Sequence, residues 1–313
     1  MLILYRLISY LPFPLLYTVA WLAYLTIYYL VGYRKAVVRR NLRQAFPQKS
    51  EREITVLAKK FYYRFAQVAF EIVRARRMSH EDFRKRVILR NPEVLEQAMA
   101  ERSRSAIVLT IHQGNWEWML HGATSALGMP VDPVYKPLHD EITDKLMLDI
   151  RSRFGSRPLS MAESTRDIIR RRKELRIFVM VADQSPVKQE RSYWTRFMHQ
   201  EAAFYLGAES LAQLTGFPVV FAACHRIRSG YYEIEFQPLA EPPYSKGSHA
   251  IVDAYVAAAE ASIRREPESW LWSNRRWKRD RAKEEATQET TAASETTNAI
   301  AQADNSSQPN PPA

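Results

Sequence analysis

The stretch "AIVLTIHQGNWEWML", residues 106–120, brings an uncharged, mostly apolar run to a histidine and then, five positions later, to a carboxylate. Residues 106–111 are apolar or small and long enough for one buried strand. Gly114 permits a tight turn, and asparagine at position 115 is a preferred helix N-cap. We therefore predict a strand that ends at His112 and a helix that begins at Trp116, with Glu117 in its first turn.

The chain beyond residue 105 repeats this alternation of strand and helix. The strand-like runs are 106–111, 131–135, 176–182 and 218–224, and the helical patterns between them are at about 115–127, 139–153, 164–174 and 201–215. Strands that alternate with helices predict an α/β fold with a largely parallel sheet flanked by helices. The alternating segment 231–236 is predicted as an edge strand, and 248–265 as a closing helix.

The position of His112 and Glu117 predicts a catalytic pair. In α/β sheets functional side chains gather at the carboxyl ends of the strands, so both side chains are expected in one crevice. We predict that Glu117 accepts a hydrogen bond from one ring nitrogen of His112, while the other nitrogen takes a proton from an attacking hydroxyl. No serine or cysteine stands beside the pair, which favours direct attack by a bound acceptor over an acyl-enzyme.

A second pair has the same spacing, His139 and Asp144. The spacing is common by chance and carries little weight alone. The second pair opens the helical pattern "HDEITDKLMLDIR" and is interpreted as the solvated start of a helix. The preceding strand, the glycine and the helix cap distinguish the first pair.

Composition limits the classes of protein that fit. The 313 residues, 46% of them hydrophobic, are enough for one sizeable core or two domains. Cys224 is the only cysteine, which excludes an intrachain disulfide and a multi-cysteine zinc site, and we predict no metal. The formal net charge of +11 favours acidic partners, which are anionic lipid, an acidic protein or nucleic acid.

The N-terminal segment 7–33 carries no charged residue, is rich in tyrosine and is long enough to cross a bilayer. Only Arg6 precedes it, whereas a cluster of cations follows it: Arg34, Lys35, Arg39, Arg40 and Arg43. This asymmetry predicts that the rest of the chain is cytoplasmic. The alternative is a buried helix of a soluble core, and the pattern leaves open whether an anchor spans the membrane or lies flat on it.

Three regions follow from these patterns: a membrane anchor at 1–33, an α/β domain with N-terminal amphipathic helices at 34–282, and a disordered tail at 283–313. Residues 34–46 are predicted to form a helix whose basic stripe suits anionic headgroups. Ser50 and Glu53 form a capping-box pattern before a long amphipathic helix.

The block "HQGNWEW" after an apolar strand resembles the lysophospholipid acyltransferase superfamily, and it is especially similar to the late acyltransferases of lipid A biosynthesis, the lauroyl and myristoyl transferases. Four further blocks agree in the same order. They are "RRNLRQAFP" (39–47), "VYKPLHDEITDKLMLDIRSRFG" (134–155), "VADQSP" (181–186) and "WLWSNRRWK" (270–278). The resemblance extends over roughly residues 1 to 280.

The resemblance implies a membrane-bound acyltransferase with its active site on the cytoplasmic side of the bacterial inner membrane. Its co-substrate would be a fatty acyl thioester of acyl carrier protein or coenzyme A, without a cofactor, and its acceptor a glycolipid hydroxyl, most simply of a lipid A precursor. It implies His112 and Glu117 as the catalytic pair. Further active-site residues are implied or expected to contact substrate: Arg151, Asp183, Lys136, Arg153 and Asn115. Arg151 could hold an acceptor phosphate.

Several alternatives remain open at this point. Asn274 and the sequence "DQSP" depart from the family's usual pattern, so the acceptor could instead be a mannosylated phosphoinositide or an amino-acid-containing lipid. Arg275, Arg276 and Lys278 either contact headgroups or pack on the core. A non-enzymatic binder of anionic surfaces would explain the charge but not the histidine–carboxylate pair, and we expect no nucleic-acid partner. A hydrolase is a third possibility, although the chain has no G-x-S-x-G nucleophile elbow.

Overall fold

The computed structural model describes residues 2–187, 191–282 and 284. Within them the α-helices are α1 (Leu2–Tyr10), α2 (Phe13–Leu25), α3 (Lys35–Ala45), α4 (Glu51–Arg74), α5 (His80–Arg86), α6 (Pro92–Ala98), α7 (Trp116–Leu127), α8 (Glu141–Arg151), α9 (Met161–Arg170), α10 (Gly207–Thr215) and α11 (Ala250–Arg265). The strands are β1 (Val87–Leu89), β2 (Ala106–Thr110), β3 (Val131–Tyr135), β4 (Leu159–Ser160), β5 (Ile177–Val181), β6 (Ser192–Phe197), β7 (Gln200–Tyr205), β8 (Val219–Arg228) and β9 (Tyr231–Ala240).

The main sheet has seven strands in the order β1-β9-β8-β2-β5-β3-β4. Every neighbouring pair is parallel except the hairpin of β8 and β9. The predicted α/β class with a largely parallel sheet is therefore confirmed. Strand β2 lies between β5 and β8, and its pairing with β5 sets Thr110 opposite Val181. The segments that follow these two strands consequently leave the same edge of the sheet side by side.

Helices cover both faces of the sheet, as parallel strands require. The alternating residues of β2 divide between two cores: Ile107 and Leu109 belong to the core under α3, α4 and α9–α11, while Ala106 and Val108 belong to the core under α5–α8. The uniformly apolar sequence of β2 thus reflects burial on both sides.

One predicted edge strand was misplaced. Strand β9 is longer than the predicted 231–236 and lies inside the sheet, between β8 and β1. The edge is formed by Val87–Leu89, which pairs in parallel with β9. Three residues are too few to give a recognisable alternation, so the sequence pattern did not reveal this strand.

The predicted helix at 201–215 was wrong over its first part. Residues Gln200–Tyr205 are strand β7, which pairs antiparallel with β6 in a separate two-stranded sheet, and the helix begins only at Gly207. Met198 and His199 both have positive φ, which suits a tight hairpin turn. The helix-forming alanines are overridden by tertiary context, because Ala202 and Ala203 are buried in the strand.

The predicted capping box is confirmed at the start of α4. The Ser50 hydroxyl accepts a hydrogen bond from the Glu53 backbone N–H, and Glu53 accepts one from the Ser50 backbone N–H. The basic stripe of α3 is engaged locally, because Arg39 and Arg43 both bind Glu51, at 2.8 Å and 2.5 Å. The sequence pattern predicted contact of this stripe with headgroups, whereas in the structure Arg39 and Arg43 neutralise Glu51 on the neighbouring helix.

The N-terminal segment forms two helices separated at Leu11 and Pro12, and the second continues from α2 through a wider π-helical turn, Thr26–Val31. Residues Phe13–Val31 are together long and apolar enough to cross a membrane, which makes them a candidate anchor. The predicted disordered tail lies outside the described residues except at Glu284, whose carboxylate binds Arg279.

Candidate active site

His112 meets Asp183 where β2 and β5 end. Asp183 Oδ1 lies 2.6 Å from His112 Nδ1, and Asp183 Oδ2 accepts a hydrogen bond of 3.0 Å from the His112 backbone N–H. Oδ2 also accepts a hydrogen bond of 2.6 Å from the indole N–H of Trp270. The parallel register of β2 and β5 brings these residues together across 71 positions of sequence.

Asp183 is almost fully buried and carries its negative charge at the site. Burial by itself raises the pKa of Asp183, but attraction to His112 and hydrogen bonds from His112 and Trp270 hold that pKa below its ordinary value. A carboxylate facing Nδ1 favours the tautomer with a proton on that nitrogen. Nε2 of His112 is then an acceptor, and the amide nitrogen of Gln184 lies 3.4 Å from it.

Glu117 pairs with Arg151 and not with His112. Arg151 Nε lies 2.9 Å from Glu117 Oε2, and Arg151 Nη2 lies 2.5 Å from Oε1, so the guanidinium binds the carboxylate with two bonds. The prediction that Glu117 fixes the tautomer of His112 is therefore wrong, because Asp183 occupies the Nδ1 side of the ring. The reason is geometric: β5 delivers Asp183 beside the strand end, whereas α7 turns Glu117 toward α8.

The Glu117 carboxylate is also buried and charged. Burial raises its pKa, but Arg151 outweighs this effect, and nearby His121 and His112 lower the pKa further, so that it lies below its ordinary value. Burial likewise lowers the pKa of Arg151, and Glu117 more than compensates. His112 therefore lies near two ionised carboxylates, one in direct contact and one whose charge Arg151 balances.

A cavity of about 380 Å³ opens beside these groups. His112, Trp116, Glu117 and Arg151 form part of its wall, and most of the remainder is apolar, including Leu95, Leu120, Leu127, Val131, Ile234 and Phe236. Pro137 and Leu138 are exposed members of the wall and mark its solvent side. The described residues contain no group of three potential metal ligands. The cavity is suited to a long apolar chain whose polar end reaches the histidine.

The turn after His112 is fixed by the C-terminal segment. Leu271 N–H donates a hydrogen bond of 2.9 Å to the His112 carbonyl, and Gly114 N–H donates one of 3.2 Å to the Ser269 carbonyl. The Gln113 side chain is buried and donates to the carbonyls of Ser262 and Glu266. Gly114 is required here, because it has φ +60° and an added Cβ would lie 2.4 Å from the Cys224 carbonyl oxygen.

Asn115 serves the fold at this turn. Its side chain caps α7 by accepting a hydrogen bond of 3.0 Å from Trp118 N–H, as predicted, and its amide donates one of 3.0 Å to Glu71. Glu71 also accepts hydrogen bonds from the hydroxyls of Tyr17, at 2.9 Å, and Tyr232, at 2.5 Å. Asn115 is wholly buried and outside the cavity wall, so the structure does not bring it to the place where a substrate contact was predicted.

Of the other two residues predicted to contact substrate, one lines the cavity and one does not. Lys136 is exposed and lines the cavity, whereas Arg153 lies outside the wall, donates to the Ala75 carbonyl and sits over the Phe154 ring at 4.8 Å. Arg276 is buried, with its guanidinium 4.2 Å from the centre of the Phe204 ring, which supports packing on the core and not on headgroups.

The second histidine–acid pair, His139 and Asp144, lies at the solvent-exposed start of a helix, as its context predicted. Asp144 accepts a hydrogen bond of 2.8 Å from the Leu138 backbone N–H, and Asp140 caps α8 by accepting one from Thr143 N–H. His139 is exposed at the cavity rim.

Sequence reasoning missed three supporting groups, which are Glu71, Gln113 and Trp270. Glu71 and Trp270 come from distant parts of the chain, whereas Gln113 directly follows His112. A weak signal existed for Glu71, since a lone acid on the apolar stripe of an amphipathic helix needs a buried partner.

A histidine–carboxylate pair beside an apolar cavity, at the carboxyl edge of a mainly parallel sheet, defines an enzyme site able to transfer an acyl chain by acid–base chemistry. Comparison with known proteins gives the family. The chain belongs to the family described as bacterial lipid A biosynthesis acyltransferase, which it matches over residues 1–279. It is 24% identical over 241 residues to a protein from Haemophilus influenzae (strain ATCC 51907 / DSM 11121 / KW20 / Rd) named "Lipid A biosynthesis acyltransferase", and the match covers 74% of this chain and 72% of that protein. The chain is thus an acyltransferase of lipid A synthesis, which confirms the resemblance.

Proposed function

We propose that the chain transfers a fatty acyl group from a thioester of acyl carrier protein or coenzyme A to a hydroxyl of a lipid A precursor, with His112 as the general base. The observation that carries the proposal is the division of the imidazole between two environments. Nδ1 is held by Asp183, which lies outside the cavity wall, while the ring itself lines the apolar cavity. Nε2 is therefore the nitrogen available to a substrate.

The reaction needs no covalent enzyme intermediate. Nε2 of His112 removes the proton of the acceptor hydroxyl as the hydroxyl oxygen attacks the thioester carbonyl carbon. The tetrahedral intermediate then collapses with cleavage of the carbon–sulfur bond. The proton held on Nε2 passes to the departing sulfur, which leaves as the thiol, and the acyl group remains on the acceptor as an ester.

Asp183 stabilises the imidazolium that forms when Nε2 takes the proton. Its charge lies next to Nδ1, and its second oxygen is held by the His112 backbone N–H and by Trp270. These bonds position the carboxylate before the reaction, so little reorganisation accompanies proton transfer.

Glu117 and Arg151 form the second half of the site. Nε and Nη2 of Arg151 both bind Glu117, so we assign Arg151 to positioning this carboxylate and not to an acceptor phosphate. Glu117 lines the cavity near His112, and Arg151 balances its charge there. Lys136 at the exposed rim is the residue we assign to anionic groups of either substrate.

The apolar part of the cavity is assigned to the acyl chain. Each buried methylene group contributes about 0.8 kcal/mol of binding free energy. A chain held by Leu95, Leu127 and Phe236 would extend inward from the reacting carbonyl at His112. Binding energy from this remote part of the donor can thereby hold the thioester at the histidine.

We assign the enzyme to the cytoplasmic side of the bacterial inner membrane. The exposed apolar residues of α1 and α2 and the net charge of +11 support contact with an anionic bilayer. The same positive charge suits an acidic carrier protein as acyl donor.

The test is transfer of a radiolabelled acyl group to a lipid A precursor, with acyl carrier protein and coenzyme A thioesters compared as donors. We expect ester formation by the wild type and its loss in His112→Ala, with free fatty acid measured in parallel. Folded wild-type protein that releases only free fatty acid with both donors would contradict the proposal. Mass spectrometry of lipids from cells with and without the gene identifies the acceptor.

A further inference from the structure

The N-terminal helices are attached to the domain along one face. Leu16 and Ala20, four residues apart, lie on this face, and so does Tyr28 eight residues further along; all three are buried. Near the start of α2, the Tyr17 hydroxyl donates a hydrogen bond to Glu71. In the π-helical turn that follows α2, the centre of the Tyr28 ring lies 5.3 Å from that of the Tyr62 ring. Glu71 lies near the end of α4 and Tyr62 near its middle, so α2 runs antiparallel along α4.

The opposite face of the segment is apolar and exposed. It includes Leu4 and Leu7 on α1 and Leu15, Trp21, Leu22 and Leu30 further along. Among the described residues the segment presents no charge on this surface beyond Arg6. A contiguous exposed surface with a tryptophan and several leucines is unfavourable in water and marks an interaction site.

Cations stand at both ends of this apolar surface. At the α1–α2 break, Arg77 lies over the exposed Tyr10 ring at 4.0 Å. At the other end, Arg34 lies over the exposed Tyr33 ring at 5.7 Å. Both arginines are themselves exposed, so positive charge at each end of the surface can contact a layer of anionic headgroups.

A membrane-spanning α2 conflicts with these contacts. If α2 crossed the bilayer in this fold, α4 would cross beside it with Lys59, Lys60, Arg64 and Glu71, and burial of such charges in lipid is costly. If α2 left the domain instead, it would expose its buried stripe and remove the Tyr17 hydrogen bond from Glu71, the residue that also holds Asn115 at the active-site turn.

We propose that α1 and α2 lie in the plane of one leaflet of an anionic bilayer, with their exposed face among the lipids and their other face on α4. Helices of this kind sit roughly 5–10 Å into the boundary between headgroups and acyl chains. The inference rests on the membrane contact in the proposed function and specifies its geometry. Two hydrogen bonds then connect the membrane-bound helix to the active-site turn, because Glu71 binds both Tyr17 and Asn115.

Cysteine labelling in cells tests the topology. The wild-type chain provides a blank, because its one cysteine, Cys224, is buried. Arg6→Cys places a thiol before α2, and Lys246→Cys places one on the exposed surface of the domain. In intact spheroplasts treated with a membrane-impermeant maleimide we expect no label on either variant, and after permeabilisation we expect label on both. Label on Arg6→Cys but not on Lys246→Cys in intact spheroplasts would overturn the proposal.

The depth of Trp21 provides a second measurement. The full chain is bound to phosphatidylethanolamine–phosphatidylglycerol vesicles that contain lipids brominated near the headgroup or near the chain end. The quenching of Trp21 is obtained as the difference between wild type and Trp21→Phe. We expect stronger quenching by the shallow bromines, whereas a spanning helix would hold Trp21 near the bilayer centre and favour the deep ones. If Arg6→Cys is unlabelled even after permeabilisation, labelling gives no topology, and the quenching depth of Trp21 then distinguishes the in-plane helix from the spanning helix.

The outcomes separate the two proposals. A chain that is absent from the membrane fraction overturns the in-plane helices together with the membrane contact. Label on Arg6→Cys from outside overturns only the in-plane geometry and leaves acyl transfer by His112 unaffected.

Discussion

The two carboxylate oxygens of Asp183 contact two different nitrogens of His112: Oδ1 lies 2.6 Å from the ring Nδ1, and Oδ2 accepts the backbone N–H at 3.0 Å. One side chain thus fixes both the ring and the strand end that carries it. This arrangement assigns to Asp183 the orienting role that the local spacing suggested for Glu117.

Asp183→Asn tests that role. The amide keeps the size of the side chain but has no charge to stabilise the imidazolium, and its NH₂ group facing Nδ1 would favour the wrong tautomer. We expect acyl transfer to fall by about 100-fold or more. The measurement is kcat for labelled acyl transfer, with folding followed by circular dichroism. A folded variant with near-normal kcat would show that His112 does not depend on Asp183.

The two histidines that precede an acid by five residues provide a matched comparison. His112→Ala removes the proposed base, and we expect a loss of about 100-fold or more in transfer. His139→Ala removes an exposed rim residue, and we expect nearly unchanged kcat. Equal losses in both variants would contradict the choice of His112 by its position at a strand end.

The Glu117–Arg151 pair is expected to be strongly coupled in stability. Arg151→Met leaves a buried carboxylate without its partner, and we expect roughly 3 kcal/mol less free energy of unfolding. The double variant Glu117→Gln/Arg151→Met removes both charges and should lose less than the sum of the single losses. Urea unfolding of the four proteins gives the coupling energy, and additive losses would exclude a direct ion pair.

Two glycines with nearly the same backbone angle separate strain from steric overlap. Gly114 has φ +60° and a neighbouring carbonyl in the place of a Cβ, whereas Gly128 has φ +64° and open space. We expect Gly128→Ala to cost about 1 kcal/mol of unfolding free energy from strain alone. Gly114→Ala should cost about 3 kcal/mol or more and reduce activity, because β8 or the turn must move. Similar costs for both variants would contradict this close approach.

His121 predicts a pH dependence of stability. Burial lowers the pKa of His121 from 6.5 to about 4, although Glu117 opposes the shift. Between these two pH values the unfolded chain binds the His121 proton more readily than the folded chain does. The stability that comes from keeping His121 neutral is therefore lost as pH falls from 6.5 to about 4. The free energy of unfolding falls by up to about 1.4 kcal/mol per pH unit in this range. Urea unfolding across this range should show a flatter profile in His121→Leu than in wild type. The exposed-residue control His199→Gln should keep the wild-type slope, and an unchanged slope in His121→Leu would refute the assignment.

Local patterns were sufficient for the elements that build the site. The uncharged run 106–111 predicted β2, asparagine at 115 predicted the cap of α7, and Ser50 with Glu53 predicted the start of α4. Each of these signals acts over a few residues, because periodicity reports which face is buried and capping reports where a helix begins. The same locality explains the error at 201–205, where burial against distant residues outweighed helix propensity.

The partners of the site residues depended on tertiary structure. The sequence by itself determined that His112 stands at a strand end and that Asp183 follows another strand, but only the register of β2 against β5 joined them. Likewise, the ion pair of Arg151 with Glu117 depends on the packing of α8 against α7. The hydrogen bond from Tyr17 to Glu71 depends on the packing of α2 against α4. Hydrophobic alternation specifies that a strand is buried without specifying its neighbour, so hydrogen bonds between distant segments follow from the sheet order and helix docking that the whole chain adopts.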